Sequence, residues 1–189
     1  PARLASLQYM TYGASPMPEG LLTDLIERVP DLNIIQGYGQ TELAPIVSTL
    51  QPEFHVLGDN NSKLRSAGRP VPGTEVKIVD EDGNKVAKGD VGEICARGMG
   101  AMQGYWKLED QTAATLVDGW VHTGDGGYMD DDGFIFIADR MKDMIVTGGE
   151  NVFSAEVESA ISTHDAVAEV AVIGIPDDTW GEAVHAVII

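Results

Sequence analysis

The chain has 189 residues, 43% of them apolar and 22% charged, enough for one ordinary domain or one and part of another, with a sizeable buried core. Twelve Lys and Arg against 30 Asp and Glu give a formal net charge of −18, which repels nucleic-acid backbones and anionic membranes unless a basic patch intervenes. The longest cationic cluster is Lys63, Arg65 and Arg69, so nucleic-acid binding is not expected, and the interleaving of carboxylates with Val, Ile, Leu and aromatics excludes a disordered acidic tail.

No apolar run approaches the ~18 residues of a membrane span, and no signal peptide opens the chain. The expectation is a cytoplasmic protein without a transmembrane segment. Cys95 is the single cysteine and cannot form an internal disulfide; its alternating segment, Glu93 to Ala96, predicts a buried structural thiol.

The pattern predicts a mixed α/β and α+β fold in three regions. Residues 1–65 alternate strand and helix. A strand over Leu7–Tyr12 runs into the turn Gly13-Ala14-Ser15-Pro16. A helix starting near Pro18 carries Leu21, Leu22, Leu25, Ile26 and Val29 on one face, and a second strand, Leu32–Gln36, runs into Gly37-Tyr38-Gly39-Gln40-Thr41-Glu42. Strand, helix, strand with glycine-rich exits predicts parallel α/β architecture, the end of a larger α/β domain, in which ligands bind beyond the carboxyl ends of strands.

Residues 66–139 are β-rich and predict a small barrel-like subdomain: strands at Thr74–Val79, Gly92–Ala96 and Phe134–Ile137, acidic turns at Asp80–Asn84 and Asp130–Gly133, and a short helix over Asp110–Leu116. Residues 140–189 predict the first part of a small α+β domain. Its expected elements are a strand at Met144–Val146, a Gly148-Gly149 turn, a helix capped by Ser154, and strands at Val167–Ile175 and Ala183–Ile189. Both chain ends interrupt apolar segments, so a piece of a longer polypeptide is expected, with exposed apolar surface that promotes self-association.

Several chemistries find no motif. The four histidines, 55, 122, 164 and 185, lie far apart in sequence with no second cysteine, so a zinc site is not expected. Placing Gly83 or Gly133 at position six of a calcium loop puts Ile78 or Tyr128 at position one, where neither side chain can ligate the ion. No GxxxxGK[ST] loop occurs.

Four segments carry the chemistry that remains. In Gly37–Glu42 the glycines allow close backbone approach to a ligand, Tyr38 can stack on a planar base, Thr41 can reach a phosphate oxygen, and Glu42 is a hard oxygen donor for magnesium. His122-Thr123-Gly124-Asp125-Gly126-Gly127 reads alone as a tight turn, with an Asp suited to a ribose diol. Asp139-Arg140-Met141-Lys142-Asp143 reads alone as a solvated linker, and Gly148-Gly149-Glu150-Asn151 as a helix entry.

Taken in order, these segments resemble the AMP-forming adenylating enzymes, the superfamily of acyl-CoA synthetases, luciferases and peptide-synthetase adenylation domains. Tyr12–Pro18, Gly104-Tyr105-Trp106 and Gly119-Trp120 strengthen the resemblance, which spans essentially the whole chain. The 139–145 segment and Glu156-Val157-Glu158 look most like fatty-acid or aryl-acid CoA ligases. The resemblance implies that Gly13, Ala14, Ser15 and Pro16 line the adenine and acyl pockets, with Gly37, Gly39 and Gln40 also contacting nucleotide. It implies that Tyr38 stacks on adenine, Thr41 bonds the α-phosphate and Glu42 holds magnesium, with Thr41 and Glu42 as the catalytic pair. Asp125 takes the ribose hydroxyls beside Arg140, Lys142 is the hinge of a rotating C-terminal domain, and Gly148, Gly149 and Glu150 face the coenzyme A channel. The implied reaction joins a small carboxylic acid to coenzyme A through an acyl-adenylate, with ATP and Mg2+. Alternatives are loading of a carrier protein and a non-catalytic nucleotide-binding remnant. The family's phosphate loop and C-terminal catalytic lysine have no counterpart in this sequence, so the chain alone is expected to be inactive.

Overall fold

The computed structural model describes residues 6–15, 17–58 and 61–189. Pro16, one of the expected pocket residues, lies outside them. Among the described residues, three sheets and few helices make the mixed α/β and α+β architecture expected from the pattern. The chain divides into two compact units, one running up to Thr123 and including Gly127–Ile137, the other comprising Gly124–Gly126 and Ala138–Ile189.

In the first unit, β1 (Tyr9–Gly13) is followed by α1 (Glu19–Arg28) and β2 (Asn33–Gly39). The β1 and β2 strands pair in parallel, with Gly13 opposite Gly37. The helix between them buries Leu22 against Leu32, Ile34 and Leu64, with Leu25, Ile26 and Val29 packed on the same cluster. Leu21, expected on that face, is 58% exposed; it sits one residue, about 100°, around the helix from Leu22. Antiparallel β3 (Ile46–Leu50) and the short β4 (Arg69–Pro70) complete the sheet in the order β1-β2-β3-β4. A bulge between Tyr38 and Gly39 shifts the β2–β3 register, ending the regular ladder where the chain turns toward Thr41.

The second sheet of this unit curls as a half-barrel. Its strands are β5 (Thr74–Val79), β6 (Gly92–Gly98), β7 (Leu116–Val117), β8 (Trp120–Met129) and β9 (Ile135–Arg140), ordered β5-β6-β8-β7 with β9 on β8; β8 and β9 each contribute residues to both units. Helix α2 (Glu109–Thr115) precedes β7. Ile78, Ile94, Ala96, Val121 and Ile135 form the buried face, joined by Tyr38, Leu43 and Val47 in one core cluster. Both acidic turns fold as hairpin turns: Asp80 Oδ1 accepts from the Asp82 and Asn84 amides, and Asp130 Oδ1 from the Phe134 amide.

In the second unit, β10 (Ile145–Thr147) and β11 (Glu150–Val152) form a hairpin around Gly148-Gly149. Both glycines have positive φ, +60° and +86°, as a two-residue hairpin loop with right-handed strand twist requires. Helix α3 (Ser154–Ser162) follows, then the long antiparallel pair β12 (Val170–Asp177) and β13 (Gly181–Ile188), giving the order β11-β10-β13-β12. Ser154 was expected to cap α3, but it is the first helical residue and its hydroxyl donates to Asp139 Oδ2 at 2.5 Å. The same carboxylate oxygen accepts from the Ala155 amide at 3.2 Å. Asp139 therefore supplies the acceptor that the helix start needs, from 16 positions upstream of Ala155.

Candidate functional site

Parallel pairing puts the carboxyl ends of β1 and β2 side by side, so the Gly13-Ala14-Ser15 turn and the Gln40-Thr41-Glu42 turn leave the same edge of the sheet. The strands lie close enough there that a Cβ on Gly13 would sit 2.1 Å from the Gly37 carbonyl oxygen, and a Cβ on Gly39 would sit 1.7 Å from that of Pro45. Two non-glycine residues at this edge, Ala14 (φ +65°) and Ala44 (φ +53°), are held in the left-handed region. That conformation costs on the order of 1–2 kcal/mol for an L-residue and concentrates at sites that fix a ligand.

Thr41, Glu42 and Leu43 form a single 3-10 turn, with Gln40 extended before it. Leu43 is the buried anchor, while Thr41 is exposed and Glu42 half-buried. The Glu42 carboxylate is fixed from a distant part of the chain: the Tyr105 hydroxyl donates to Glu42 Oε1 at 2.6 Å, and the Met102 amide donates to the Glu42 carbonyl at 2.8 Å. The Tyr105 amide donates in turn to Thr112 Oγ1 on α2. Accepting the hydroxyl proton at Glu42 and partial burial together raise the Tyr105 pKa. Tyr38 is 8% exposed, its ring in the core cluster with Leu43 and Val47.

Asp125, Arg140, Lys142 and Gly148–Glu150 belong to the second unit. Asp125 lies in β8 and is 7% exposed. Its Oδ1 meets Arg140 Nε at 3.0 Å, and the Met141 amide donates to the Gly124 carbonyl at 2.8 Å. These contacts bring together two expected residues that are far apart in sequence. Lys142 is exposed in the turn before β10, and Gly148, Gly149 and Glu150 are exposed at the hairpin. The His122–Gly127 segment is not the tight turn it reads as alone; it is extended strand within β8. Gly127 is needed there because a Cβ would meet the Phe136 carbonyl oxygen at 2.3 Å.

Sequence reasoning matched Tyr105 and Asp139 to no role. Both act on partners with no local signal, since Tyr105 lies 63 positions from Glu42 and Asp139 lies 15 from Ser154. A cavity of about 520 Å3 lies elsewhere in the first unit, lined by Ile26, Val29, Asn33 and His55 among others. It opens at the amino end of β2 and contains none of the motif residues, whereas ligands of open α/β sheets bind beyond the carboxyl ends.

Glu42 offers a hard carboxylate oxygen next in sequence to the exposed Thr41, at the carboxyl end of β2. Magnesium is commonly held by one or two such carboxylates together with substrate phosphates, and this donor set fits that pattern.

Residues 1–106 match the family model for AMP-binding enzymes, and residues 156–189 match the model for the C-terminal domain of AMP-binding enzymes. A fatty acid–[acyl-carrier-protein] ligase of Streptomyces coeruleorubidus is 46% identical over 97% of this chain and 35% of its own length. A medium/long-chain-fatty-acid–CoA ligase of Mycobacterium tuberculosis is 48% identical over 98% of this chain and 32% of its own. Among solved structures, the o-succinylbenzoate coenzyme A synthetase of Bacillus subtilis, in complex with ATP and magnesium ion, aligns with a TM-score of 0.85 at 36% identity, covering 99% of this chain and 39% of that one. The chain thus spans about a third of the length of the relatives it matches.

Proposed function

The chain belongs to the AMP-binding enzyme family, and from that premise we propose that it is part of an ATP-dependent acid–thiol ligase that activates a carboxylic acid, of the fatty-acid class, as acyl-AMP and transfers the acyl group to coenzyme A. The observation that carries this reading is the pairing of the Gly13 and Thr41-Glu42 turns at one parallel strand edge, with Glu42 held by Tyr105.

The physical problem in the first half-reaction is the approach of a carboxylate to the anionic α-phosphate of ATP, which requires charge neutralisation and fixed donors. In this reading Glu42 holds the magnesium ion, which supplies positive charge at the phosphates when bound. Thr41 donates its hydroxyl to an α-phosphate oxygen, and its place in a one-turn helix anchored by buried Leu43 fixes that donor before substrate arrives. The Gly13-Ala14-Ser15 turn and the Gly37–Gln40 segment flank the nucleotide in this reading, with Gln40 at the rim and Tyr38 packed behind them in the core cluster. Asp125 accepts from the ribose hydroxyls, oriented by Arg140. The carboxylate oxygen bonds the α-phosphorus as the α–β phosphoanhydride bond breaks and pyrophosphate leaves. In the second half-reaction a thiol attacks the acyl carbonyl, its proton passes to solvent, the acyl–phosphate bond breaks, and AMP leaves. Lys142 is the turning point between the two half-reactions, and Gly148–Glu150 border the thiol's path.

A second reading, transfer to a carrier protein, is favoured by the identity to the acyl-carrier-protein ligase; carrier-bound pantetheine presents the same thiol arm. The test is AMP release by the full-length enzyme across a panel of fatty and aryl acids, with coenzyme A, with a pantetheinylated carrier protein, or with neither. Acid-dependent AMP release stimulated by coenzyme A supports the proposal, stimulation by carrier alone supports the second reading, and nucleotide binding with no AMP release from any acid leaves only a binding remnant. The 189-residue chain by itself is expected to show no pyrophosphate exchange above background.

A further inference from the structure

Strands β6 and β8 bring together three side chains that the sequence keeps apart. Glu93 and Cys95, two residues apart on β6, share one face of the half-barrel sheet, and His122 joins them from β8. Ligand-capable atoms of the three, a carboxylate oxygen, the thiol sulfur and an imidazole nitrogen, all lie within 4.8 Å of one another. His122 Nδ1 is 2.6 Å from Glu93 Oε2, and these two side chains are 24% and 23% exposed. Cys95 is fully buried beneath them. Lys77 stands opposite Cys95 in the β5–β6 register, and its ammonium is 4.7 Å from the centre of the Trp120 ring.

We propose that Glu93, Cys95 and His122 form a zinc site on the outer face of this sheet, separate from the nucleotide-binding residues. Mixed nitrogen, sulfur and oxygen donors suit a borderline-soft divalent ion such as zinc and not magnesium or calcium, which take oxygen alone. Three protein donors with water in the fourth position make a complete zinc environment. In a tetrahedral zinc set, donors stand about 3.3–3.8 Å apart, so the trio needs only side-chain rotation of about an ångström to close around an ion. The sheet fixes the three backbones, and the partly exposed Glu93–His122 pair is the entry. On binding, the Cys95 proton is released to solvent and the zinc–sulfur bond forms in its place; the Glu93–His122 hydrogen bond is replaced by two bonds to the ion, its proton moving to the other imidazole nitrogen or to solvent. Sequence spacing hid the set because its histidine lies 29 positions from Glu93.

The test is titration of the metal-free chain with zinc against a chromophoric chelator. One equivalent per chain is expected, with affinity at least about tenfold weaker in Cys95→Ser and in His122→Gln. Cobalt in place of zinc should give a sulfur-to-metal charge-transfer band that Cys95→Ser abolishes. Folding of each variant is checked by circular dichroism. Should Cys95→Ser not fold, His122→Gln and Glu93→Gln, at partly exposed positions, carry the same measurement. No stoichiometric uptake overturns the site. So does uptake unchanged in the variants, which would place the ion at His55, His164 or His185 instead.

Discussion

The hydroxyl of Tyr105 donates to a carboxylate that the proposed chemistry needs in one orientation. Hydrogen bonds to charged groups contribute about 1.5–3 kcal/mol, and Tyr105→Phe removes this one while keeping the ring. In the full-length enzyme, the magnesium concentration for half-maximal AMP release should rise about tenfold, with the KM for the acid unchanged. A variant that altered the acid KM alone would assign Tyr105 to the acyl pocket. A second contact sets a pH dependence. Burial raises the Asp130 pKa, but hydrogen bonds from Lys63 Nζ and the Phe134 amide outweigh it and hold the carboxyl below its ordinary 3.8. Its stabilisation is therefore complete above that ordinary value and is lost as pH falls through the depressed one. Lys63→Met should remove about 1 kcal/mol at neutral pH and flatten the decline in urea midpoint as pH falls below that ordinary value. An acid limb as steep as the parent's would show that other carboxylates dominate it.

At the level of the elements, backbone proximity makes certain glycines irreplaceable. Gly68, with φ +79°, would place a Cβ 1.9 Å from the Thr49 carbonyl oxygen, and its own carbonyl accepts from the Ile135 amide at 2.8 Å. Gly58, with φ +85°, has nothing within 4 Å of such a Cβ. Gly58→Ala should cost only the left-handed conformation, about 1–2 kcal/mol, while Gly68→Ala should cost about 3 kcal/mol or more, because backbone cannot rotate aside. Urea unfolding of the two variants makes the comparison, and equal losses would refute the steric account. The elements themselves were largely legible: apolar spacing marked α1, and alternation marked Thr74–Val79 to the residue. The His122–Gly127 segment was not, because six residues rich in glycine read as a turn until neighbouring strands β6 and β9 are known to pair with it. Ser154 misled for a related reason. A local cap is visible in sequence, whereas the acceptor in fact comes from Asp139, across a strand and a hairpin. In the candidate site the motif residues stood out through their order and the resemblance it carries, but Tyr105 and the Glu93–Cys95–His122 set depend on tertiary pairing that no spacing reveals.

Over the whole molecule, apolar exposure and charge oppose each other. In the second unit Trp180, Ile173, Val187, Ile188 and Ile189 are each half or more exposed, a surface that favours association. The net charge of −18 opposes it at long range. Salt shortens that repulsion to about 10 Å at 0.1 M and leaves apolar burial in place, so self-association of the chain should strengthen as sodium chloride is raised. A dilution series by light scattering that stayed monomeric at every ionic strength would refute this.

The bond from Tyr105 to Glu42 also bears on how members of this family can be recombined. A chimera that exchanges segments between relatives needs junctions, and the glycine-rich turn at 37–42 is one place to set them. A crossover between Glu42 and Tyr105 separates two residues that meet at 2.6 Å, so parents that differ in the 98–105 loop would yield hybrids with every motif present and the carboxylate misaimed. Junctions placed before Gly37 or after Thr112 inherit donor and acceptor from one parent.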